Sequence, residues 1–563
     1  MTIDLPPGLL LIGAGLLAPL VPARLRPAFL LLAPAAEFAH LLSLVPGMTL
    51  RSEVFGFALE WVRVDRLSLA FGYVFVIASL LYAVFAWHLR GRLEPSAAMV
   101  YAGAAMSAVF AGDFLTLFLY WELTAITAVL VIWARGSEHA FRAGFRYIVV
   151  QLASGVLLAA GAAWRYAETG SLAFGAIGLD QPGGVLLLLA FGIKCAFPFL
   201  HNWLQDAYPE ATATGTVVLS AFTTKLGIYA LARGFPGTEM LIWIGTAMAA
   251  FPIFYAVIEN DLRRVLAYSM NNQLGFMVVG VGVGTELSLN GTVAHAFADI
   301  LFKGLLFMSM GAVLLRTGTV NGTNLGGLYK SMPWTTGFCI VGAASISAFP
   351  LFSGFVTKSL IMTAVAGDGR IVEWLILLFA SAGVFHHAGI KIPYFAFFAH
   401  DAGIRCREAP ANMLIAMGIA AALCIGIGVL PDLFYSILPF AVAYEPYTAS
   451  HVVAQLQLLV FSALAFAVLM RTGIYPPELR SVNLDFDWLY RRAALRAVRR
   501  TTAFTSARIR QLGAMVSHAA TWALAQGERR TSAGQFMADG GSTRGMALWV
   551  MVMLVSYLVL YYI

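Results

Sequence analysis

Phe191-Gly192-Ile193-Lys194-Cys195-Ala196-Phe197-Pro198-Phe199-Leu200-His201 places a lysine and a proline inside an apolar stretch, residues 184 to 202, that is long enough to cross a bilayer as a helix. Proline removes one intrahelical hydrogen bond and clashes with the preceding turn, so the spacing predicts a helix that breaks at this point. Backbone freed at membrane depth is tolerated only against protein or water. The pattern returns in a second stretch, residues 334 to 366, where Phe349-Pro350-Leu351-Phe352-Ser353-Gly354 precedes Lys358. Two interrupted helices in corresponding positions point to an internally repeated transporter whose pathway lies at the repeat interface.

The surrounding composition fits a membrane protein. The chain has 563 residues, 60% hydrophobic and 12% charged, with a mean hydropathy of +0.80, against roughly 45–50% apolar and 25% charged in soluble domains. Sixteen apolar stretches are predicted as spans, from residues 8–22 to residues 545–563, and lipid requires each to be helical. Met1 to Leu17 has no basic leader and reads as a first helix. The net charge of +7 is explained by orientation. Loops after odd-numbered spans carry Arg24 and Arg26, Arg90 and Arg92, Arg135 and Arg142, Arg263 and Arg264, Arg316 and Lys330, and Arg405 and Arg407, which places them in the cytoplasm. The loop after the seventh span lacks a basic residue, and Arg51, Arg63 and Arg66 run against the rule.

The predicted organisation is N-terminal helices over residues 1–96, a first repeat over 97–233, a second over 240–397, further core helices over 411–471, an amphipathic segment over 484–530 and a terminal span over 545–563. Seven arginines between Arg491 and Arg510, interleaved with Trp488, Leu495, Ile509 and Leu512, predict a helix along the cytoplasmic face held by anionic lipid. Asp539-Gly540-Gly541-Ser542 reads as the turn into the last span.

Ionisable groups inside spans carry the functional signal. Glu122, Lys194, Lys225, Lys303 and Lys358 fall on five different predicted helices, and each costs about 2.5–3.5 kcal/mol to insert. One carboxylate cannot neutralise four ammonium groups, so some of the lysines must be neutral or hydrated. A buried lysine loses its proton far more readily than an exposed one, which suits it to a proton relay. His295, Asp299 and Lys303 share a helix face at i, i+4 and i+8, with Asp299 expected to pair with Lys303. His386, His387 and Lys391 form a second cluster, read as an exit path. Orientation accounts for Arg263 and Arg264.

Other chemistries are excluded by missing motifs. Gly280-Val281-Gly282-Val283-Gly284 has dinucleotide-type glycines but follows no strand. No Walker loop or H-E-x-x-H motif occurs, so no cofactor is expected and no nucleic-acid partner is implied. Cys195, Cys339, Cys406 and Cys424 have no C-x-x-C spacing and read as packing residues. The sequence names no metal site.

The chain resembles the antiporter-like subunits shared by Mrp-type cation/proton antiporters and the membrane arm of respiratory complex I. The resemblance rests on Asp65, Tyr120-Trp121-Glu122-Leu123, Pro198 to Ala207, Thr224-Lys225-Leu226-Gly227-Ile228-Tyr229, Asp261 to Ser269, Leu301 to Phe307 and Ser353 to Lys358. It covers about residues 55 to 400. It implies an all-α polytopic fold with about fourteen core transmembrane helices in two inverted five-helix repeats, extended here by a lateral helix and a final span. It also implies an acid–lysine pair at Glu122 and Lys194, a connecting Lys225, a central Lys303, and Lys358 on the second broken helix. The implied role is the D-type component of a sodium/proton antiporter in a bacterial inner membrane, working with other membrane subunits, protons, Na+ and lipid. A proton channel of a redox or inorganic-carbon uptake complex, and a non-transporting scaffold, stay open. The family commonly has histidine where Asp299 stands.

Overall fold

The computed structural model describes residues 5–479, 483–530 and 543–562. The chain divides into two compact units, Met1–Asn483 and Leu484–Ile563. The first unit begins with α1 (Leu9–Leu17), α2 (Arg26–Ser43), a hairpin of β1 (Thr49–Val54) and β2 (Phe57–Arg63), and α3 (Arg66–Phe85). A first series follows: α4 (Leu93–Phe110), α5 (Phe114–Trp133), α6 (Glu138–Thr169), α7 (Gly184–Lys194) with α8 (Asn202–Ala207), and α9 (Gly215–Ala221) with α10 (Thr223–Gly234). The second series is α11 (Glu239–Ile258), α12 (Leu262–Val283), α13 (Glu286–Thr317), α14 (Pro333–Ile346) with α15 (Ser353–Gly367), and α16 (Ile371–Val384). Then come α17 (Ala411–Val429), α18 (Pro431–Tyr435) and α19 (Ala449–Thr472). Among the described residues, nine helices are long and apolar enough to cross a bilayer. The protein is a polytopic all-α membrane protein.

The hairpin is the one departure from the helical expectation. Its strands pair antiparallel from Thr49↔Arg63 to Val54↔Phe57, and Phe55 and Gly56 turn between them at φ 53° and 80°, as a tight two-residue turn requires. It lies between spans, where its edges can meet water.

Helix starts are fixed by side-chain caps. Asp65, Asp113, Ser137, Asp261, Thr285 and Thr448 each accept a backbone N–H of the helix they open, filling donors that a helix leaves unpaired. The two series repeat the same devices at constant spacing. Asp113 bridges to Ala173, and Asp261 bridges to Asn321, each 148 residues further on. Both proline breaks fall where expected. Ala196 and Phe199 in the first, and Ala348 and Leu351 in the second, have φ of 60°, 71°, 57° and 74°, each second-series residue 152 positions after its counterpart. A left-handed residue with a side chain costs about 1–2 kcal/mol, so four of them at matched positions mark an enforced geometry.

The loop contacts sort the two ends of the first unit. Arg26 reaches the carbonyls of Arg90 and Gly91, Arg135 pairs with Glu210 at 3.3 Å, and Lys330 with Asp401 at 2.8 Å. The loop after the first broken helix therefore belongs to the basic end although it has no basic residue of its own. Arg51 is neutralised by Glu60 at 2.7 Å. Arg263 does more than orient the chain: buried, it donates to the Ala211 carbonyl and Thr216 Oγ1 at 3.1 and 3.0 Å, and also to the Pro209 carbonyl, clamping that loop.

The second unit holds a π-helical turn, Leu489–Ala494, leading into α20 (Leu495–Arg530), and α21 (Thr543–Tyr562). α20 is the helix expected from the arginine-rich segment. The turn expected at Asp539 to Ser542 lies outside the described residues.

Asp261 accepts from the N–H groups of Arg263 and Arg264 at 2.8 and 3.0 Å. Asp261→Ala is expected to cost about 1 kcal/mol and to lower the thermal unfolding midpoint in detergent. Asp261→Asn, which keeps an acceptor, should recover most of it.

Candidate functional site: a chain of buried ionisable residues

Each of the five ionisable residues lies next to a helix break or a helix crossing. Lys194 ends α7 at the first break, where it is fully buried. Its Nζ donates to the Trp121 carbonyl at 3.1 Å and to Thr124 Oγ1 at 2.8 Å, and sits 4.6 Å from the Trp121 ring centroid. Trp121 is held in turn by Ser154, which accepts from its Nε1 at 2.9 Å and donates to the Ala190 carbonyl at 2.7 Å. Glu122 projects from the other side of α5, in line with exposed Leu115, Leu119 and Ile126. Its carboxylate rests on Gly155 of α6, where a Cβ would collide with it, and its Oε1 is buried without a hydrogen bond. Glu122 and Lys194 thus form no direct bond in this conformation: the carboxylate is turned to Gly155, and the ammonium to the Trp121 carbonyl and Thr124.

Lys225 lies just past the kink at Phe222 that separates α9 from α10. Its Nζ donates to the Ser220 carbonyl at 3.0 Å and lies 2.7 Å from Asp299 Oδ2, with both side chains fully buried. The pairing of Asp299 with Lys303 expected from the i, i+4 spacing is not the one formed. α10 crosses α13 and brings Lys225 closer, while Lys303 donates to Ser269 Oγ of α12 at 2.8 Å. Asp299 therefore links the first series to the second.

His295 bonds Gln273 Oε1 through Nε2 at 2.9 Å and Thr357 Oγ1 through Nδ1 at 3.1 Å, which ties α13 to α12 and to α15. Lys358, the next residue, donates to the Ile346 carbonyl at 3.2 Å and to Ser381 Oγ at 3.4 Å. The Ile346 carbonyl is an acceptor left over by the second break. Lys358 also lies 5.1 Å from the Phe276 ring centroid. Lys194, Lys225, Asp299, Lys303, His295 and Lys358 are all buried, and the two series meet at Lys225 and Asp299.

The expected second cluster sits on an altered helix. Residues Phe385–Lys391 and Tyr394–Phe398 form π turns, and Pro393 between them explains the shift, since it cannot donate to the carbonyl one turn back. His387 is fully buried, with neither ring nitrogen hydrogen-bonded. His386 stacks on Tyr475 at the protein edge. Lys391 donates to the Ala256, Val257 and Glu259 carbonyls at 3.2, 2.7 and 2.7 Å, satisfying the end of α11, and pairs with Glu478 at 2.8 Å. This cluster is at the same end as Arg263 and Arg264.

Sequence reasoning missed several polar residues of this interior. Gln151, Asn202, Gln205 and Asn271 are buried with amide atoms that have no hydrogen-bond partner, as are Asp299 Oδ1 and Ser353 Oγ. Leaving such a group dry costs about 1–3 kcal/mol, so a series of them suits internal water. The only available signal was compositional: Asn271-Asn272-Gln273 puts three amides side by side inside a span. The four cysteines are free, and three are buried, in keeping with a packing role. Among the described residues no group of histidine, cysteine or carboxylate side chains is arranged to hold a metal.

Comparison with known proteins places this arrangement. Residues 111–385 match the family described as NADH:quinone oxidoreductase/Mrp antiporter, transmembrane. Over these residues the chain carries the antiporter-like transmembrane domain. It is 30% identical to the D component of the Na+/H+ antiporter of Alkalihalophilus pseudofirmus over 308 residues, 50% of this chain and 62% of that protein. The chain spans less than two thirds of the length of that relative. It also has the fold of a chain in the Mrp complex from Dietzia sp. DQ12-45-1b, with a TM-score of 0.70 at 20% identity, covering 82% of this chain and 98% of that one. A chain of the archaeal membrane-bound sulfane sulfur reductase matches with a TM-score of 0.73 at 23% identity, covering 99% and 100%.

Removing one partner of the buried pair strands the other charge. Asp299→Ala is expected to destabilise the protein by about 3–5 kcal/mol. Joint replacement by Lys225→Met and Asp299→Leu should recover most of the thermal midpoint measured in detergent.

Proposed function

We propose that this chain is the proton-translocating subunit of a multisubunit monovalent cation/proton antiporter in a bacterial inner membrane, with Na+ the coupled cation. The observation that carries this reading is the direct contact of Lys225 with Asp299, which joins the buried ionisable groups of the two series into one row. A plain anchor gains nothing from paying the insertion cost of so many charges.

In this mechanism Glu122 governs how firmly Lys194 holds its proton. A carboxylate swung toward Lys194 favours the ammonium form, and one withdrawn against Gly155 releases it. A proton released at Lys194 passes by the Thr124 hydroxyl and internal water to Lys225. When Lys225 is neutral, Asp299 turns its charge to Lys303, and the sequence continues through His295 and Thr357 to Lys358. Glu122 lies on the outward stripe of α5, so a neighbouring membrane subunit packed there would set its position and couple the assembly. Lys391, with Glu478, lies at the basic end and serves as the cytoplasmic mouth, His387 leading inward from it.

A second reading, a proton channel in a redox-driven complex, is favoured by the second unit, which the fold match to the sulfane sulfur reductase chain includes. The two readings differ in the proteins that co-purify: small membrane subunits for an antiporter, iron–sulfur proteins for a redox complex.

Lys225→Ala is expected to abolish proton flux in proteoliposomes containing the assembled complex; normal flux would refute the relay. Replacing Na+ by choline should stop exchange in the wild type, and undiminished exchange would exclude Na+ as the coupled ion. Asp299→His should displace the pH profile of transport, and an unchanged profile would remove Asp299 from the route.

A further inference from the structure

Four oxygens converge on one ammonium group where α11 ends. The carbonyls of Ala256, Val257 and Glu259 lie 3.2, 2.7 and 2.7 Å from Lys391 Nζ, and Glu478 Oε1 lies 2.8 Å from it. An ammonium carries three hydrogens, so one of the four oxygens is always left short. Three of them are carbonyls at the C-terminal end of a helix, where the aligned peptide dipoles gather negative charge. The Lys391 side chain is fully buried and that of Glu478 is 6% exposed, so bulk water reaches neither.

The same place holds a surplus of acceptors. Glu478 Oε2 is buried without a hydrogen-bond partner, and a Cβ on Gly322 would stand 3.4 Å from it and 3.6 Å from Asn260 Oδ1. Thr323 Oγ1 fixes this segment, 3.0 Å from the Glu478 carbonyl and 2.9 Å from Asn260 Oδ1. Buried Glu259 brings a second carboxylate. Its Oε1 accepts from the Asn260 and Asp261 N–H groups at 2.9 and 3.1 Å, and its Oε2 lies 3.9 Å from Arg264, whose side chain is one-third exposed. A lysine that only closes a helix end needs the carbonyls alone. Two buried carboxylates and the spare oxygens go beyond that role.

We propose that this oxygen cage is a binding site for a dehydrated monovalent cation, with the Lys391 ammonium as its resident competitor. The cation is Na+ in the antiporter reading above, on which the inference rests. Backbone carbonyls replace the hydration shell of such an ion, and carbonyls at helix C-terminal ends serve this purpose at membrane depth. Because most of the ligands are main-chain atoms, grouping side chains alone does not reveal the site. Exchange is one for one. Lys391 gives one proton to cytoplasmic water, its neutral amine turns along the π-helical face toward His387, whose ring nitrogens are unbonded, and Na+ takes the vacated oxygens. One positive charge leaves and one arrives, with no other bond made or broken. Cation loading and protonation of Lys391 thus exclude each other at the cytoplasmic mouth.

The test measures binding of radiolabelled Na+ to the purified complex at neutral pH, with choline as the control cation. Lys391→Met, which removes the competitor, is expected to bind Na+ about tenfold or more tightly than the wild type, and Glu478→Gln more weakly by a similar factor. Na+ but not choline should also raise the thermal unfolding midpoint of Lys391→Met, because a ligand bound to the folded state stabilises it. An assembled Lys391→Met complex that binds no more Na+ than the wild type would make the lysine a helix cap alone and overturn the inference. Wild-type affinity in Glu478→Gln overturns it equally, and that variant decides where Lys391→Met fails to assemble. Both results leave the proton-translocating reading in place, because that reading stands or falls on Lys225→Ala. A wild-type complex that binds no Na+ at all would sink the inference together with Na+ as the coupled cation.

Discussion

The contact between Lys225 Nζ and Asp299 Oδ2, 2.7 Å long and fully buried, is the interaction on which the rest of the structure depends. A pair of charges at this depth survives only because each answers the other, and removing either costs far more than the pair contributes. It also fixes how the two helix series meet. Lys225 stands just beyond the kink at Phe222, and Asp299 stands near the middle of α13, so the crossing of α10 and α13 is set by an electrostatic requirement as well as by packing. Lys303, relieved of Asp299, turns to the neutral Ser269 hydroxyl.

The proline breaks supply what the row needs at its two ends. At the second break the Ile346 carbonyl is free for Lys358, and at the first the helix ends in time for Lys194 to reach the Trp121 carbonyl and Thr124. Left-handed Ala196, Phe199, Ala348 and Leu351 are the conformational cost of these openings. The clamps around them, Arg263 on the loop after the first break and the Tyr447–Gln455 segment, bonded to Leu351 and Ser347, on the second, hold that strained backbone in place.

Much of this was legible in the sequence because its causes are local. Proline at 198 and 350 breaks a helix wherever it lies, and a lysine inside twenty apolar residues is conspicuous in any context. The partner of Asp299 was not legible. Helical spacing offered Lys303, and only the tertiary crossing supplies Lys225. The same holds for Glu478, which meets Lys391 from a loop about ninety residues further along, and for Arg263, whose burial depends on a loop fifty residues away. The hairpin at residues 49–63 was obscured by its place between spans, where its arginines registered only as exceptions to the orientation rule. Gln151 and Asn271 gave no individual signal, since a single amide in a span is as often a helix-packing residue as a water ligand.

The claim that water connects the buried groups of the two series is tested most directly by a high-resolution structure of the native complex in lipid with its internal waters resolved. The account predicts ordered water within hydrogen-bond reach of Gln151, Asn271 and Asp299 Oδ1, forming a connected file between Lys194 and Lys358. A dry interior at those atoms, or lysine side chains turned out toward lipid headgroups, would contradict it.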